Sequence, residues 1–255
     1  MSFHACAALV EKADPLRFRA AMAGPVSARH ILFPLYAFNI EVARAPWVTE
    51  EPMIAEMRLQ WWRDALEEIA TGQTVRRHEV VDALAGCLDA EAARCLDGLI
   101  AARRWDVYQD PFEDRAHFDE YIQATSGHLM WTAARLLGAA DEGVVRNFAY
   151  GVGVANIFQA IPALEAQNRK PLIDGSRAGL LALADQASQS LDQAKANRKA
   201  VSKASGAALL AGYHARPILR MVRSDPDRVA QDALETNPAR DSLRFLNVSL
   251  RGWWR

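Results

Sequence analysis

The sequence predicts an all-α fold, and three observations support this prediction. Apolar residues recur every three to four positions over most of the 255 residues, which is the spacing of one helix face. The alternation of apolar and polar residues that is typical of strands is hard to find. Breakers such as Gly24-Pro25 separate the periodic segments at helical lengths. Because nothing in the composition divides the chain, we expect one domain over residues 1–255.

Five helices are predicted in the first half of the chain, at about 3–22, 27–46, 49–70, 78–87 and 91–108. Ser27 and Thr49 are candidate N-caps, since their side-chain oxygens can accept a hydrogen bond from a free backbone N–H. The second helix is expected to end near Pro46, because the residue before a proline is driven out of the α region.

Five more helices are predicted in the second half, at about 115–137, 141–166, 177–199, 204–223 and 240–250. Gly138 is a suitable end for the first of them. Pro162 lacks a backbone donor and is expected to kink or break the second. The segment 182–206, rich in Ala, Gln and Ser, has a thin apolar face and is predicted to lie on the outside of the bundle.

Composition excludes several classes of function. The chain has 30 Lys and Arg against 31 Asp and Glu, so it lacks the basic excess of a general nucleic-acid binder. Its three cysteines form no CxxC pair, which argues against a disulfide framework and a zinc knuckle. No signal-peptide pattern is present, and no apolar run reaches the roughly 18 residues of a membrane span. We therefore expect a cytoplasmic protein that can be peripheral to the inner membrane but has no transmembrane segment.

The candidate metal ligands and nucleophiles form no recognisable site. Asp106 and Asp110 have the spacing DxxxD, but we interpret them as part of a solvated acidic turn before Pro111. Two other pairs have helical spacing without a third ligand, namely His78 with Asp82 and Glu113 with His117. There is no HExxH motif and no triad. The sequence therefore offers neither a metal site nor a catalytic residue.

A series of landmarks along nearly the whole chain carries a family resemblance. In order, they are Arg29, Leu35-Tyr36-Ala37-Phe38, the helix Arg58-Leu-Gln-Trp-Trp-Arg-Asp64, Tyr121 with Ser126-Gly127, Gly153 with Asn156-Ile157, and Arg169. With this order and spacing the chain resembles the squalene/phytoene synthase family. The resemblance implies an isoprenoid-synthase-like helical bundle around a central cavity.

The family's reaction requires acidic residues that this chain lacks. Members that catalyse join two prenyl diphosphates, and Mg²⁺ held by two Asp-rich motifs assists the loss of diphosphate. By the resemblance, the first motif falls on Ala43, Arg44 and Trp47. The second falls on Ala160, Ala163 and Leu164. The resemblance therefore implies a protein without Mg²⁺ or another cofactor and without catalytic residues.

Two sets of residues are candidates for a remnant of the site. Arginines can bind diphosphate without a metal, and the candidates are Arg29, Arg44, Arg58, Arg63 and Arg169. The alternative for each is a surface ion pair, for example Arg63 with Glu67. Residues that could line a lipid-sized cavity are Tyr36, Phe38, Trp61, Trp62, Met130, Trp131, Asn156 and Phe158. The alternative is that they are core residues.

The stretches 39–43 and 57–61 resemble the branch of the family that includes a mitochondrial assembly factor for respiratory complex I. This implies a non-catalytic protein that binds a partner protein at the inner membrane, with an isoprenoid or another lipid as a further candidate ligand. The alternative is a Mg²⁺-dependent prenyl transferase that forms squalene, phytoene or a similar product. Two tryptophans and nearby arginines at 245–255 suit a membrane interface or a partner, unless this tail folds back onto the domain.

Overall fold

The computed structural model of the protein describes residues 2–49, 51–108 and 110–255. Within these ranges the chain forms helices and turns, and the only β-type pairing is an isolated bridge between Ala140 and Val201. The all-α prediction is confirmed. The helices are α1 (Ser2–Ala13), α2 (Pro15–Ala23), α3 (Arg29–Arg44), α4 (Pro52–Ala70), α5 (Glu79–Ala85), α6 (Ala90–Arg103), α7 (Arg115–Ile122), α8 (His128–Leu137), α9 (Glu142–Glu165), α10 (Arg177–Ala196), α11 (Gly206–Leu209), α12 (Ala215–Ser224), α13 (Asp227–Ala230) and α14 (Pro238–Arg251).

The predicted first helix is in fact two helices that meet at Asp14. The Asp14 carboxylate accepts a hydrogen bond from the backbone N–H of Arg17 at 2.9 Å and so caps α2. Pro15 occupies the first position of α2, where its missing N–H costs nothing. The prediction of a single helix over 3–22 was wrong because this cap and proline signal was not recognised.

The predicted caps of the next two helices are displaced by a few residues. Ser27 lies in a 3₁₀ turn, Val26–Ala28, and α3 begins at Arg29 without a side-chain cap. The Thr49 hydroxyl accepts a hydrogen bond from the backbone N–H of Glu51 at 3.1 Å, so it stabilises the turn that leads into α4. The expected end of α3 near Pro46 is confirmed, since a 3₁₀ turn at Ala45–Trp47 follows it.

A π-helical turn, Gln123–Gly127, joins α7 to α8 where a single helix was predicted. This turn packs against α9 at Gly153. A Cβ on that glycine would lie 2.7 Å from Ile122 Cγ2 and 3.0 Å from Ser126 Cβ, so only glycine permits the approach. The Ser126 hydroxyl also donates a hydrogen bond to the carbonyl oxygen of Ala149 at 2.8 Å. These contacts give structural roles to two of the landmarks in the sequence.

Pro162 does not break α9, which continues to Glu165. The proline stands in the last turn, so the hydrogen bond that it removes is close to a helix end and little of the helix depends on it. The predicted break was therefore wrong. The uninterrupted helix packs against α8, α10 and α12 and forms the centre of the bundle.

The C-terminal third follows the prediction less closely. The predicted helix at 204–223 is split into α11, a 3₁₀ turn at Leu210–Gly212 and α12. At Gly212 a Cβ would lie 2.4 Å from Val152 Cγ2, so the chain bends where it meets α9. The short helix α13 was not predicted, whereas the helix at 240–250 is confirmed as α14.

The buried apolar side chains form one cluster with contributions from α1 through α14. α10 contributes a single face to it, with Leu183, Ala187 and Leu191 against α9, and its other faces are largely exposed. This confirms the thin apolar face predicted for residues 182–196, whereas the rest of the predicted segment is a connection in which Val201 and Ser205 are buried. Of the helices described, none is long and apolar enough to cross a membrane.

Candidate functional site

Two small cavities lie between α3, α6, α7 and α9. The inner cavity has a volume of about 70 Å³, and Asn39, Ser126 and Asn156 are among its lining residues. The outer cavity has a volume of about 170 Å³, and Trp47, Leu164 and Arg169 are among its lining residues. Three side chains line both cavities and therefore form the partition between them: Arg103, Tyr121 and Ile157.

Arg103, Asp106 and Tyr121 form a closed network in this partition. Nη1 of Arg103 donates hydrogen bonds to Asp106 Oδ2 at 2.9 Å and to the Tyr121 hydroxyl oxygen at 2.7 Å. The Tyr121 hydroxyl donates to the other carboxylate oxygen, Asp106 Oδ1, at 2.8 Å. Both oxygens of the carboxylate are thus occupied by donors from within the protein.

The protonation states of Arg103 and Tyr121 are fixed by their surroundings. Burial raises the pKa of Tyr121, and the Arg103 guanidinium only partly offsets that effect. Burial acts to lower the pKa of Arg103, but Tyr121 and Asp106 raise it by more, so the net shift is upward. Arg103 therefore stays cationic and Tyr121 stays protonated at physiological pH, and neither can act as a proton donor or acceptor in catalysis.

The structure brings both motif positions to the outer cavity. Trp47 from the end of α3 and Ala160 and Leu164 from α9 line it together. Ala43 and Arg44 stand on the last turn of α3, and Ala163 is exposed on α9. The positions that the resemblance gave for the two motifs thus lie on segments that meet at one cavity, and none of them carries an acid.

The residues at this site do not fit Mg²⁺. This ion prefers several carboxylate and water oxygens in octahedral geometry. Among the residues that line the outer cavity the only carboxylate is Asp106, whose oxygens are bound by Arg103 and Tyr121. In the described ranges no three His, Cys, Asp or Glu side chains are grouped closely enough to hold a metal ion.

The two acids of the DxxxD spacing have different environments. Asp106 is only 5% exposed and pairs with Arg103, so its assignment to a solvated turn was wrong. Asp110 is exposed, as expected.

Of the histidine pairs, His78 caps α5 through Nδ1, which accepts from the backbone N–H of Val80 at 3.2 Å. His117 Nδ1 lies 3.4 Å from the backbone nitrogen of Glu113.

The five candidate arginines do not converge at the cavities. Arg169 alone among them lines the outer cavity; its Nη2 donates to the carbonyl oxygen of Asp106 at 2.5 Å, and its guanidinium lies 4.3 Å from the centre of the Trp47 ring. Three of the others have separate partners: Arg29 pairs with the Met22 carbonyl oxygen, Arg44 with Glu41 and Arg63 with Asp97. Arg58 lies in a surface groove described below. Local acceptors hold Arg29, Arg44 and Arg63 elsewhere, and Arg58 is exposed at the groove, so the five side chains do not form the predicted cluster. A role for Arg169 in binding a diphosphate stays a prediction.

The candidate cavity-lining residues are mainly core residues. Phe38 and Phe158 are fully buried. Trp131 is partly buried against the same core. Of the eight, Asn156 is the one that lines the inner cavity, and its Oδ1 accepts a hydrogen bond from His214 Nε2 at 2.8 Å. For the other seven the structure agrees with the core alternative or places them at the surface groove.

Sequence reasoning missed the residues that fill the site. Arg103 forms the partition, and the Trp105 and Phe112 rings stack at 4.0 Å between centroids beside it. A signal for the ion pair was present, because Arg103 and Asp106 are three residues apart at the end of a helix. The contact with Tyr121, 18 residues further on, has no such local signal.

A surface groove lies on the other side of α3, along α4, and we call it the α4 groove. It has a volume of about 420 Å³ and is lined by Glu41, Ala45, Ile54, Met57, Arg58, Trp61, Trp62 and His78. Next to it, Met53 is 76% exposed, and Met57 in its wall is 66% exposed. Trp47 and Val48 are also exposed at the start of this region. The α4 groove is thus a concentration of large apolar side chains in contact with solvent.

The sequence of the chain is similar to one protein family and to several curated proteins. Residues 10–173 match the family model for squalene/phytoene synthase. Among curated proteins, the chain is 27% identical over 177 residues to complex I assembly factor 6 homolog of Drosophila melanogaster, covering 66% of this chain and 53% of that protein. It is 23% identical over 150 residues to complex I assembly factor 6 of Homo sapiens, covering 54% of this chain and 42% of that protein. The matched part of the chain thus spans about half the length of these relatives.

Solved structures agree on the fold. A dehydrosqualene synthase solved in complex with a ligand superposes with a TM-score of 0.77 at 15% identity, over 98% of this chain and 95% of that one. The squalene synthase HpnC from Alicyclobacillus acidocaldarius superposes with a TM-score of 0.72 at 17% identity, over 88% of this chain and 93% of that one. At these identities the likeness shows the shared isoprenoid synthase fold and nothing further.

Proposed function

The chain belongs to the squalene/phytoene synthase family, and we propose that within this family it is a non-catalytic protein that binds a partner protein during assembly of respiratory complex I. The name of the Drosophila and human relatives supports the second half of the proposal. The chemistry of the outer cavity supports the first half.

One observation carries the non-catalytic part. The two helix positions that would hold Mg²⁺ face one cavity, and the single carboxylate in its lining is already neutralised by Arg103. With Arg103 paired to Asp106, Arg169 leaves a net positive charge in the lining of the same space, and this charge opposes the entry of a divalent cation. Without the metal, an allylic diphosphate has no Lewis acid to assist its departure.

The test is incubation of the purified protein with Mg²⁺ and farnesyl or geranylgeranyl diphosphate, followed by measurement of released diphosphate. We expect no release above that of buffer alone. A dehydrosqualene synthase assayed in parallel controls for the quality of the substrate. Release that EDTA abolishes would contradict the proposal and favour the alternative, a prenyl transferase with a rearranged metal site.

Cavity size argues against an isoprenoid at the centre of the bundle. Sites for small organic ligands usually have volumes of about 300–1,000 Å³. The inner and outer cavities have volumes of about 70 and 170 Å³, and Arg103 and Tyr121 separate them. A prenyl chain could enter only if that network opened, which would expose the charge of Asp106 and Arg103 to an apolar ligand.

The α4 groove is the surface that we assign to the partner protein. Exposed methionines adapt their shape to an apolar surface, and tryptophan and arginine are enriched where partners bind. Met57 and Trp61 supply the apolar part of the lining, and Met53 is exposed one residue before Ile54, which also lines the groove. Arg58 lies in the same lining and is exposed. A helix of the partner that presents an apolar face is the kind of segment that such a groove accepts.

A genetic test separates this proposal from the absence of enzyme activity. Deletion of the gene in its host should lower the amount of assembled complex I, and the unaltered gene should restore it. A gene that carries Met53→Ser and Met57→Ser should fail to restore it, whereas Ile173→Ser, which removes an exposed apolar side chain elsewhere, should restore it fully. Unchanged complex I after deletion would contradict the assembly role.

A further inference from the structure

The largest of the described pockets is formed around the C-terminus, mainly by residues that are distant in the sequence from those that line the inner and outer cavities. It is an open groove of about 740 Å³, which we call the C-terminal groove. Its walls come from the end of α2, from the connection between α10 and α11 at residues 198–203, and from residues 249–254. The volume is within the range of sites that hold small organic ligands or a lipid chain.

The C-terminal tail is seated firmly enough to form a wall of this groove. Trp253 is buried, lies against Gly206 and meets the Phe148 ring edge to face at 4.9 Å. Gly252 has φ of +116°, a backbone conformation that turns the chain back after α14. Trp254 remains partly exposed, and the Arg198 guanidinium lies 5.8 Å from the centre of its ring.

The lining of the groove is charged with one sign. None of the residues that line it is acidic. Four of them are basic, namely Arg198, Lys199, Lys203 and Arg251. Arg198 donates to the carbonyl oxygen of Lys195 at 3.2 Å. Across the described residues, no ion pair involves Lys199, Lys203 or Arg251. In a chain whose net charge is −1, the lining of this groove is thus a local concentration of positive charge.

An exposed apolar row adjoins these charges. Leu243, Leu246 and Leu250 are 69%, 53% and 76% exposed, and their spacing of three and four residues places them on one face of α14. Leu250 also lines the groove, so the row and the basic lining are continuous. Phe245 and Val248 on the opposite face hold the helix to the core. Met22 and Val26 are exposed beside the α2 wall of the groove.

We propose that the C-terminal groove and the leucine row of α14 form a docking site for an anionic phospholipid membrane surface. Leucines that project from one face of a surface helix suit insertion below the lipid headgroups. Lysine and arginine beside them suit lipid phosphates, and tryptophan is enriched at that depth. A row of leucines that projects from the surface, together with a groove whose charged lining residues are all basic, matches a negatively charged bilayer. A protein partner would have to supply both an apolar socket and a separate acidic segment.

The test is flotation of the full-length protein with vesicles of phosphatidylcholine alone and vesicles of phosphatidylcholine and phosphatidylglycerol in equal parts. We expect binding to the second and not the first, and weaker binding as salt is raised. Lys199→Gln with Lys203→Gln should lower the partition to phosphatidylglycerol vesicles about tenfold. Leu243→Ser, Leu246→Ser and Leu250→Ser together should lower it by at least about tenfold.

Matched controls remove the same chemistry elsewhere. Lys12→Gln with Lys170→Gln lowers the net charge by the same amount, and Leu16→Ser with Ile173→Ser removes exposed apolar side chains; neither pair should change the partition. Because all the changed residues are exposed, circular dichroism should show an unchanged fold. Equal binding to both vesicle types, binding to neither, or an equal loss in the control pairs would overturn the proposal. None of these outcomes depends on complex I assembly.

Discussion

The partition between the two central cavities and the C-terminal groove both contain arginine beside aromatic rings, but they use charge in opposite ways. In the partition, Arg103 is bound to Asp106 and Tyr121 by hydrogen bonds of 2.7 to 2.9 Å. In the groove, Lys199, Lys203 and Arg251 have no acidic partner among the described residues. Charge that is buried and paired is committed to the fold, whereas charge that is unpaired at an open surface is available to a ligand.

The strongest test of this comparison is the loss of Asp106. Asp106→Ala leaves the Arg103 guanidinium partly buried without its counter-ion, and we expect the free energy of unfolding to fall by about 3–5 kcal/mol. Urea denaturation measures the change. Asp106→Asn retains a hydrogen-bond acceptor for Tyr121 and separates the loss of charge from the loss of packing. A change below about 1 kcal/mol for the alanine variant would mean that the network is solvated and the partition is not committed to the fold.

A second test concerns His214, which lies behind the inner cavity and is bonded to Asn156. Burial and, to a smaller extent, the charge of Arg17 lower the pKa of His214 from 6.5 to about 4, and Asp14 and Asp241 oppose this shift only in part. Because the unfolded chain binds the proton more readily, stability is present above about pH 6.5 and is lost as the pH falls toward 4.

We expect this loss to reach about 3 kcal/mol near pH 4, measured as the free energy of unfolding at a series of pH values. In His214→Gln the part of the pH dependence that lies between pH 6.5 and 4 should disappear. An identical pH profile for His214→Gln and the unaltered protein would contradict the assignment.

How far the sequence predicts this molecule depends on the range of the interactions involved. The period of apolar residues predicted most helices, and the resemblance placed the two motif positions on segments that line one cavity. One error arose at Asp14-Pro15, which starts a new helix but was read as part of a continuous one. Another arose at Pro162, because a proline in the last turn of a helix does not break it. The contact of Arg103 with Tyr121 joins helices that are distant in sequence, so no spacing rule could predict it.

The seating of the C-terminal tail provides a third test, with a smaller expected effect. Gly252→Ala places a Cβ about where Trp254 lies, at 2.3 Å from its Cη2, on a backbone with φ of +116°. We expect a loss of about 1–3 kcal/mol in the free energy of unfolding, and faster proteolysis of the tail. Gly175→Ala is the control, since nothing lies within 4 Å of a Cβ there, and it should leave stability nearly unchanged. Equal stability of the two variants would mean that the tail does not form a fixed wall of the groove.

The smallest expected change in stability comes from the groove itself. Lys199→Gln with Lys203→Gln removes two exposed charges without removing a partner, so the free energy of unfolding should change by less than about 0.5 kcal/mol. If anything it should rise, because the repulsion among the basic side chains of the groove is reduced. The same variant is expected to lose most of its binding to anionic vesicles. If the loss of two residues leaves folding intact but removes most of the binding, those residues contribute to ligand binding and not to stability. Asp106→Ala should lower stability and leave binding to anionic vesicles unchanged. Equal losses of stability for Asp106→Ala and for the lysine pair would remove the distinction between the two regions.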